Sequence, residues 1–369
     1  MGFGKILYFG GDEFDADRNR GMKVVLIAPM STERIAEIAA VDARLQIEDA
    51  WELFGPELVA DWPTQTTESY LPRRFWSMPD SPELRQHREA LLSDAEVVCI
   101  TFPPPLRLAG RAPRLRFVHQ IPAGVSNLSR GDLWKGSVPV TSGRGAGSTL
   151  PIAEWAIAVS LALCKELPRA FSQRSAGKLD RQAFNGRQVA GKTLAVVGLG
   201  GIGQQVARLA RALGMRVIGT RRSSEPVEHV DLYPPAELDA VLAQSDLVVV
   251  ASQLTAETHH LFNAAAFTAM KPGAFLINVA RGELIDEAAL TDALRSGQVG
   301  GFAADVYEGE FDHPPPAALL AFENVILTPH TSGQTEHPPT GSLAIFRENL
   351  RRCLEGEPLL NQVDWERGY

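Results

Sequence analysis

The sequence predicts a two-domain α/β protein whose larger half is a doubly wound parallel sheet. Three observations carry that expectation. From Thr193 onward, short apolar runs alternate with helix-like segments, a rhythm that calls for parallel strands joined by crossover helices. A glycine-rich turn, "GLGGIG", stands between one such run and a helix-like stretch. The chain, at 369 residues, is longer than one ordinary core fills, so two domains are expected.

The elements follow in order. "MKVVLIA" (22–28) reads as a strand, and "STERIAEIAAV" after it has a Ser/Thr start and helical spacing. Residues 51–82, rich in Trp, Pro, Thr and Ser, show no clear period and read as a long irregular excursion. "SPELRQHREALL" reads as a helix, "EVVCITF" and "LRFVHQI" as strands. "IAEWAIAVSLALC" (152–164) is too short for a membrane span, carries Glu154, and reads as a buried core helix. Six strands are then expected at "TLAVVGLG", "RVIGT", "DLVVVAS", "AFLINVA", "GGFAADV" and "NVILTPH", with helices at 202–214, 236–244, 263–270 and 286–296. The closing "SLAIFRENLRRCLEG" is one helix, too small to be a domain, and is expected to pack back on the first.

Bulk properties exclude several functions. A net charge of −8 argues against a general nucleic-acid or anionic-membrane surface. Cys99, Cys164 and Cys353 stand far apart without a C-x-x-C pair, which suits a reducing cytoplasm. The N-terminal "MGFGKILYFGGDEFDADRNRG" lacks a basic region followed by a long apolar stretch and is no secretory signal. No G-x-S-x-G elbow supports a serine hydrolase. His259, His260, His313 and His337 show no metal-ligand spacing with Asp, Glu or Cys, so no metal is expected.

The glycine turn carries the first chemistry. Gly198, Gly200 and Gly203 follow a strand and open a helix whose first residues include Gly201 and Ile202. This is the Rossmann-type context in which glycines admit a pyrophosphate and the helix N-terminus offers it free N–H groups. In an NAD-preferring cradle an acid near the end of the second strand takes the ribose hydroxyls. Here that position falls on Arg221, followed by Arg222 and Ser223. Arginine cannot accept those hydrogen bonds but offers a donor fork suited to a phosphate. NADP(H) is therefore favoured over NAD(H); solvated surface charge is the competing account of the pair.

Beyond the cradle, "INVARGELIDEAAL", "GFAADVYEGEF" and "VILTPHTSG" appear in the order and spacing of the D-isomer-specific 2-hydroxyacid dehydrogenases. The chain resembles that family from about Ala153 to Gly333; the N-terminal third rests mostly on "RLRFVHQIPAGVSNL". The resemblance implies a flavodoxin-like α/β substrate domain, residues 1–150 plus 334–369, with the dinucleotide-binding domain, 151–333, inserted in it. It also implies a cytoplasmic homodimer acting on a 2-keto acid/2-hydroxy acid pair, glyoxylate and hydroxypyruvate among the candidates. By the same resemblance, Arg281 binds the substrate carboxylate and carbonyl, and His330 is the general acid. Glu310, five positions after Asp305, orients the imidazole, with Glu308 as its competitor. Val279, Ala280, Asp305, His330 and Gly333 would contact the cofactor. The turn Ala123, Gly124 and Val125 would cradle the carboxylate, though a plain strand-to-loop corner fits those three residues equally.

The chain departs from the family pattern near the substrate. Phe311 follows Glu310 where proline is usual, "HTSG" replaces a more glycine-rich sequence, and "ITFPPPLR" (100–107) is unusually rich in proline. "SGRGAGSTLP" is one residue longer than usual. Two other functions stay open: a formate-dehydrogenase-like activity, which would pair its histidine with glutamine rather than glutamate, and a dinucleotide-sensing regulator on the same fold.

Overall fold

A computed structural model describes residues 21–336 and 340–366. The extension preceding Gly21, and His337, lie outside the described residues. Two all-parallel sheets organise the chain. The first contains β1 (Met22–Ile27), β2 (Leu45–Asp49), β3 (Val97–Ile100), β4 (Phe117–Gln120) and β5 (Val140–Ser142), in the order β2-β1-β3-β4-β5. The second contains β6 (Thr193–Val197), β7 (Arg216–Thr220), β8 (Asp231–Tyr233), β9 (Leu247–Val250), β10 (Ala274–Asn278), β11 (Val299–Ala304) and β12 (Val325–Leu327). Its order is β12-β11-β10-β9-β6-β7-β8. These are the flavodoxin-like and Rossmann strand orders, the second extended by one edge strand.

Both faces of each sheet are covered, which is why the strands read as unbroken apolar runs. In β6, Ala195 and Val197 enter one core layer with Ile218 and Leu276, while Leu194 and Val196 enter the opposite layer with Val206 and Ile277. The helix Thr149–Cys164 contributes Ala153, Ala156 and Leu163 to that second layer. In β1, Val25 and Ile27 face one layer and Val24 and Leu26 the other. The chain returns to the first sheet at its end. Phe346, Leu350 and Cys353 of the helix Gly341–Glu355 pack with Val24, Leu26 and Phe117, and Gln362 bridges to Thr141 of β5.

The helices expected after Ser31 and Ser81 are present as Thr32–Ala39 and Pro82–Asp94, each serine accepting a backbone N–H as N-cap. The expectation for 51–82 is corrected: it holds the helices Trp51–Asp61 and Thr64–Tyr70 and a 3-10 turn, Arg73–Ser77. Trp51–Asp61 buries Trp51, Phe54, Gly55, Pro56 and Leu58, a set too wide to leave a polar stripe, so no helical period shows. β2, β5 and β8 were not expected. They are short, and β2 and β8 are half-exposed sheet edges with little apolar signal. All three cysteines are free and buried. Among the described residues no helix is long and apolar enough to cross a membrane.

Candidate active site

The strand order of the second sheet reverses between β6 and β9, and the turn after β6 opens into the crevice this creates. Gly198 has φ +102°, and a Cβ there would lie 2.5 Å from the Ser252 nitrogen. A Cβ on Gly203 would lie 2.1 Å from the Gly198 carbonyl oxygen. Both glycines are required by protein packing. Gly200 is different: a Cβ there meets no atom of the described residues within 4 Å, so its small size leaves room for something outside the chain. The helix Gly201–Ala212 that follows has Gly200 as N-cap and no side-chain cap, which leaves its first N–H groups available. Facing the turn, the buried Ser252 hydroxyl has no hydrogen-bond partner among the described residues. Open space at Gly200, uncapped N–H groups and an orphan hydroxyl together fit a dinucleotide phosphate.

Arg221 comes directly after β7, at the carboxyl end beside that turn. Its Nη2 lies 3.8 Å from Glu225 Oε2, and Ser223 Oγ accepts the Glu225 N–H at 3.2 Å. Arg222 follows in the same loop.

Asp305 comes directly after β11 and is 1% exposed. One carboxylate oxygen accepts the Thr331 N–H at 2.8 Å and the Thr328 hydroxyl, and the other accepts the Ser332 N–H at 2.8 Å. These bonds tie down the loop between them, which presents His330. That histidine has φ +55°, a costly backbone state for a non-glycine residue. Its N–H is held by the carbonyls of Asp305 (2.9 Å) and Thr328 (3.0 Å). His330 Nδ1 lies 3.1 and 3.2 Å from the two oxygens of Glu310. A carboxylate only accepts, so Nδ1 carries the proton and Nε2 is the free ring nitrogen. The imidazole is 33% exposed while Glu310 is 8% exposed: the base faces the cleft and its partner is underneath. Glu308 turns away, with Oε2 3.2 Å from His260 Nε2 and its N–H donated to Glu287 at 3.0 Å.

Arg281 follows β10. Asn278 fixes the turn that carries it, donating to the Arg281 carbonyl at 2.8 Å and accepting the Ala280 N–H at 3.0 Å. Val279 and Ala280 are buried beneath it. The guanidinium reaches the first sheet, where Nε donates to Ser126 Oγ at 3.1 Å. Nη2 stands over Gly124, 1.7 Å from where a Cβ would be. The Gly124 carbonyl accepts Gln120 Nε2 at 2.6 Å, and Val125 is anchored in the first core; Ala123 is exposed. Gly282 lets this turn cross the loop before Glu310: a Cβ there would lie 1.9 Å from the Tyr307 carbonyl carbon. Gly333 packs against Ser148, 3.2 Å from an added Cβ, at the start of the helix Thr149–Cys164.

The structure thus brings Arg281, Glu310, His330 and the 123–125 turn to facing carboxyl ends of the two sheets. Ser126, Gln120, Asn278, Gly282 and Ser252 were missed by sequence reasoning. Asn278 and Gly282 flank Arg281, and Gln120 and Ser126 flank the 123–125 turn, inside quoted motifs and so carried a readable signal; Ser252, at the end of an ordinary strand run, carried none. Donor atoms of His259, His260 and Glu308 all lie within 4.8 Å of one another, a grouping chain spacing hid because Glu308 comes 48 residues after His260.

Fold and site define a dinucleotide-dependent α/β enzyme class with an Arg–His–Glu centre. Residues 157–332 match the model of the D-isomer specific 2-hydroxyacid dehydrogenase NAD binding domain. The chain is 33% identical to a glyoxylate reductase of Thermococcus gammatolerans over 75% of its own length and 86% of that protein. It is also 33% identical to a D-3-phosphoglycerate dehydrogenase of Methanocaldococcus jannaschii over 69% of its length, but spans 48% of that relative, about half. A D-isomer specific 2-hydroxyacid dehydrogenase of Xanthobacter autotrophicus Py2, solved in complex with NADPH and MES, matches 95% of the chain at TM-score 0.70 and 28% identity, and is itself covered completely. The chain belongs to the D-isomer-specific 2-hydroxyacid dehydrogenase family.

Proposed function

We propose that the protein interconverts a 2-keto acid and its D-2-hydroxy acid with a nicotinamide cofactor, NADP(H) in preference to NAD(H). The observation that carries this reading is the meeting of Arg281 with the Gly124 turn beside a histidine backed by a carboxylate. A bound nicotinamide dinucleotide would supply the hydride. In reduction, the 123–125 backbone and the Arg281 guanidinium hold the carboxylate, and Arg281 also polarises the keto oxygen. His330 Nε2 gives its proton to that oxygen as negative charge develops, and takes it back in oxidation. Glu310 keeps the ring oriented, its carboxylate accepting from Nδ1. Gly198, Gly200, Gly201, Ile202 and Gly203 would hold the pyrophosphate with Ser252. Val279, Ala280, Gly333 and the remaining acceptor capacity of Asp305 would border the nicotinamide. Arg221, Arg222 and Ser223 would take the 2′-phosphate, with Glu225 competing for Arg221.

Two sheets, with the C-terminal helix on the first, favour the division at 1–150 plus 334–369 and 151–333. The helix Leu167–Ser175 buries none of its residues, and Phe171 (57% exposed) and Leu179 (87% exposed) present apolar surface there. That surface favours a homodimer. Three buried free cysteines suit the cytoplasm. The Glu310 carboxylate favours the keto-acid reading over a formate-dehydrogenase-like one. Following NADPH oxidation across a panel of 2-keto acids tests the proposal; a regulator would bind NADPH without consuming it.

A further inference from the structure

The side of the cleft next to His330 is built of aromatic rings from both halves of the chain. Phe311, the residue after Glu310, has its ring centroid 6.5 Å from the His330 imidazole, at 23° to it. Phe102, from the proline-rich segment after β3, lies 4.5 Å from Phe311. Tyr70 meets Phe102 edge-on at 4.8 Å, and Trp62 meets it at 5.2 Å.

The group is held in place. Thr66 Oγ1 donates to the Phe311 carbonyl at 2.5 Å, Trp62 Nε1 donates to the Pro104 carbonyl at 2.8 Å, and Arg130 pairs with Asp312. Trp62 is buried, whereas Tyr70, Phe102 and Phe311 keep part of their surface open. Tyr70 also meets Phe311, their centroids 6.2 Å apart, which sets it on the His330 side of the cleft.

A trigonal keto carbon has three substituents. In the reading proposed above, the oxygen goes to His330 Nε2 and the carboxylate to Arg281 and the Gly124 turn. The third substituent is left to the remaining wall. We infer that Tyr70, Phe102 and Phe311 form a specificity wall for a bulky apolar side chain, so that the preferred substrate is an aromatic or branched aliphatic 2-keto acid rather than glyoxylate or hydroxypyruvate. This rests on the keto-acid reading of the site. Apolar surface buried against the rings favours such a side chain. The hydrogen of glyoxylate gains nothing there, and the hydroxymethyl of hydroxypyruvate would lose water against Phe102 and Phe311, which offer it no polar partner.

The test compares kcat/KM for phenylpyruvate, 4-methyl-2-oxopentanoate, hydroxypyruvate and glyoxylate with NADPH. Phenylpyruvate should exceed glyoxylate at least tenfold, the scale on which apolar pockets discriminate. Phe311→Ala and Phe102→Ala should each pull that ratio toward one, and Phe311→Leu, which keeps apolar volume, should fall between. A preference for glyoxylate or hydroxypyruvate, or a ratio untouched in all three variants, overturns the wall. If no 2-keto acid is turned over, the reaction proposed above fails, and calorimetric titration still decides the wall. D-phenyllactate should then bind at least tenfold more tightly than glycolate, and equal affinities overturn it.

Discussion

The Arg281 guanidinium crosses from the second sheet to stand over Gly124 of the first, with Nη2 1.7 Å from the position a Cβ would take. No side chain fits between them. A methyl group at residue 124 would move the tip of a flexible side chain rather than backbone, so Gly124→Ala should fold normally while displacing the guanidinium. We expect its KM for the 2-keto acid to rise tenfold or more, with NADPH affinity nearly unchanged. An unaltered KM would remove the 123–125 turn from the substrate site.

The pairing of His330 with Glu310 makes a second prediction. His330→Ala should lower turnover about a hundredfold or more, the usual scale of general acid catalysis, and leave cofactor affinity nearly intact. Glu310→Gln should lower turnover while leaving cofactor affinity nearly intact, because the ring loses the carboxylate that orients it. Near-normal turnover in His330→Ala would mean that another group delivers the proton.

The glycine turn was legible because backbone geometry leaves few substitutes there, whereas Arg281, Glu310 and His330 were named by the order and spacing of motifs that resemble a family. Gly198 and Gly203 are demanded by close approach, and Arg281 and His330 stand at strand ends that apolar runs announce. What was hidden depends on contacts distant along the chain. "TQTTESY" looks like polar linker, yet Thr66 and Thr67 are buried, and Thr66 caps the carbonyl of Phe311, 245 residues away. Trp51–Asp61 lost its period because it is covered too widely. Asp305 was expected to face the nicotinamide; its bracing of the His330 loop depends on Thr331 and Ser332 N–H groups that no spacing reveals.

The arginine loop predicts cofactor choice. Charge-assisted hydrogen bonds to a phosphate contribute roughly 1.5–3 kcal/mol each, about ten- to a hundredfold in affinity. NADPH should therefore bind more tightly than NADH, with an advantage that shrinks as salt rises. Arg221→Asp should invert the order, and Glu225→Gln, by freeing Arg221, should tighten NADPH a few-fold. Equal affinities of the unaltered protein for both cofactors would reduce the pair to surface charge.

Stability should depend on pH through His119. This fully buried ring bonds Thr141 Oγ1 at 2.9 Å and Ser342 Oγ at 3.1 Å, and burial pushes its pKa from 6.5 down to about 4. Between those values the unfolded chain binds more protons than the folded one. The stabilisation is therefore complete above pH 6.5 and falls as pH drops toward 4, by at most about 3 kcal/mol. Denaturant midpoints across that range should show the slope, and His119→Gln should flatten it. An equal slope in both proteins would assign the dependence to other groups.

The most direct measurement is absorbance at the reduced-nicotinamide band when purified protein, NADPH and each 2-keto acid of the panel are mixed. NADPH should be oxidised with at least one of them, with stoichiometric formation of the D-2-hydroxy acid, and both should be lost in Arg281→Ala and His330→Ala. NADPH that binds but stays reduced with every 2-keto acid, or a product of L configuration, would contradict it.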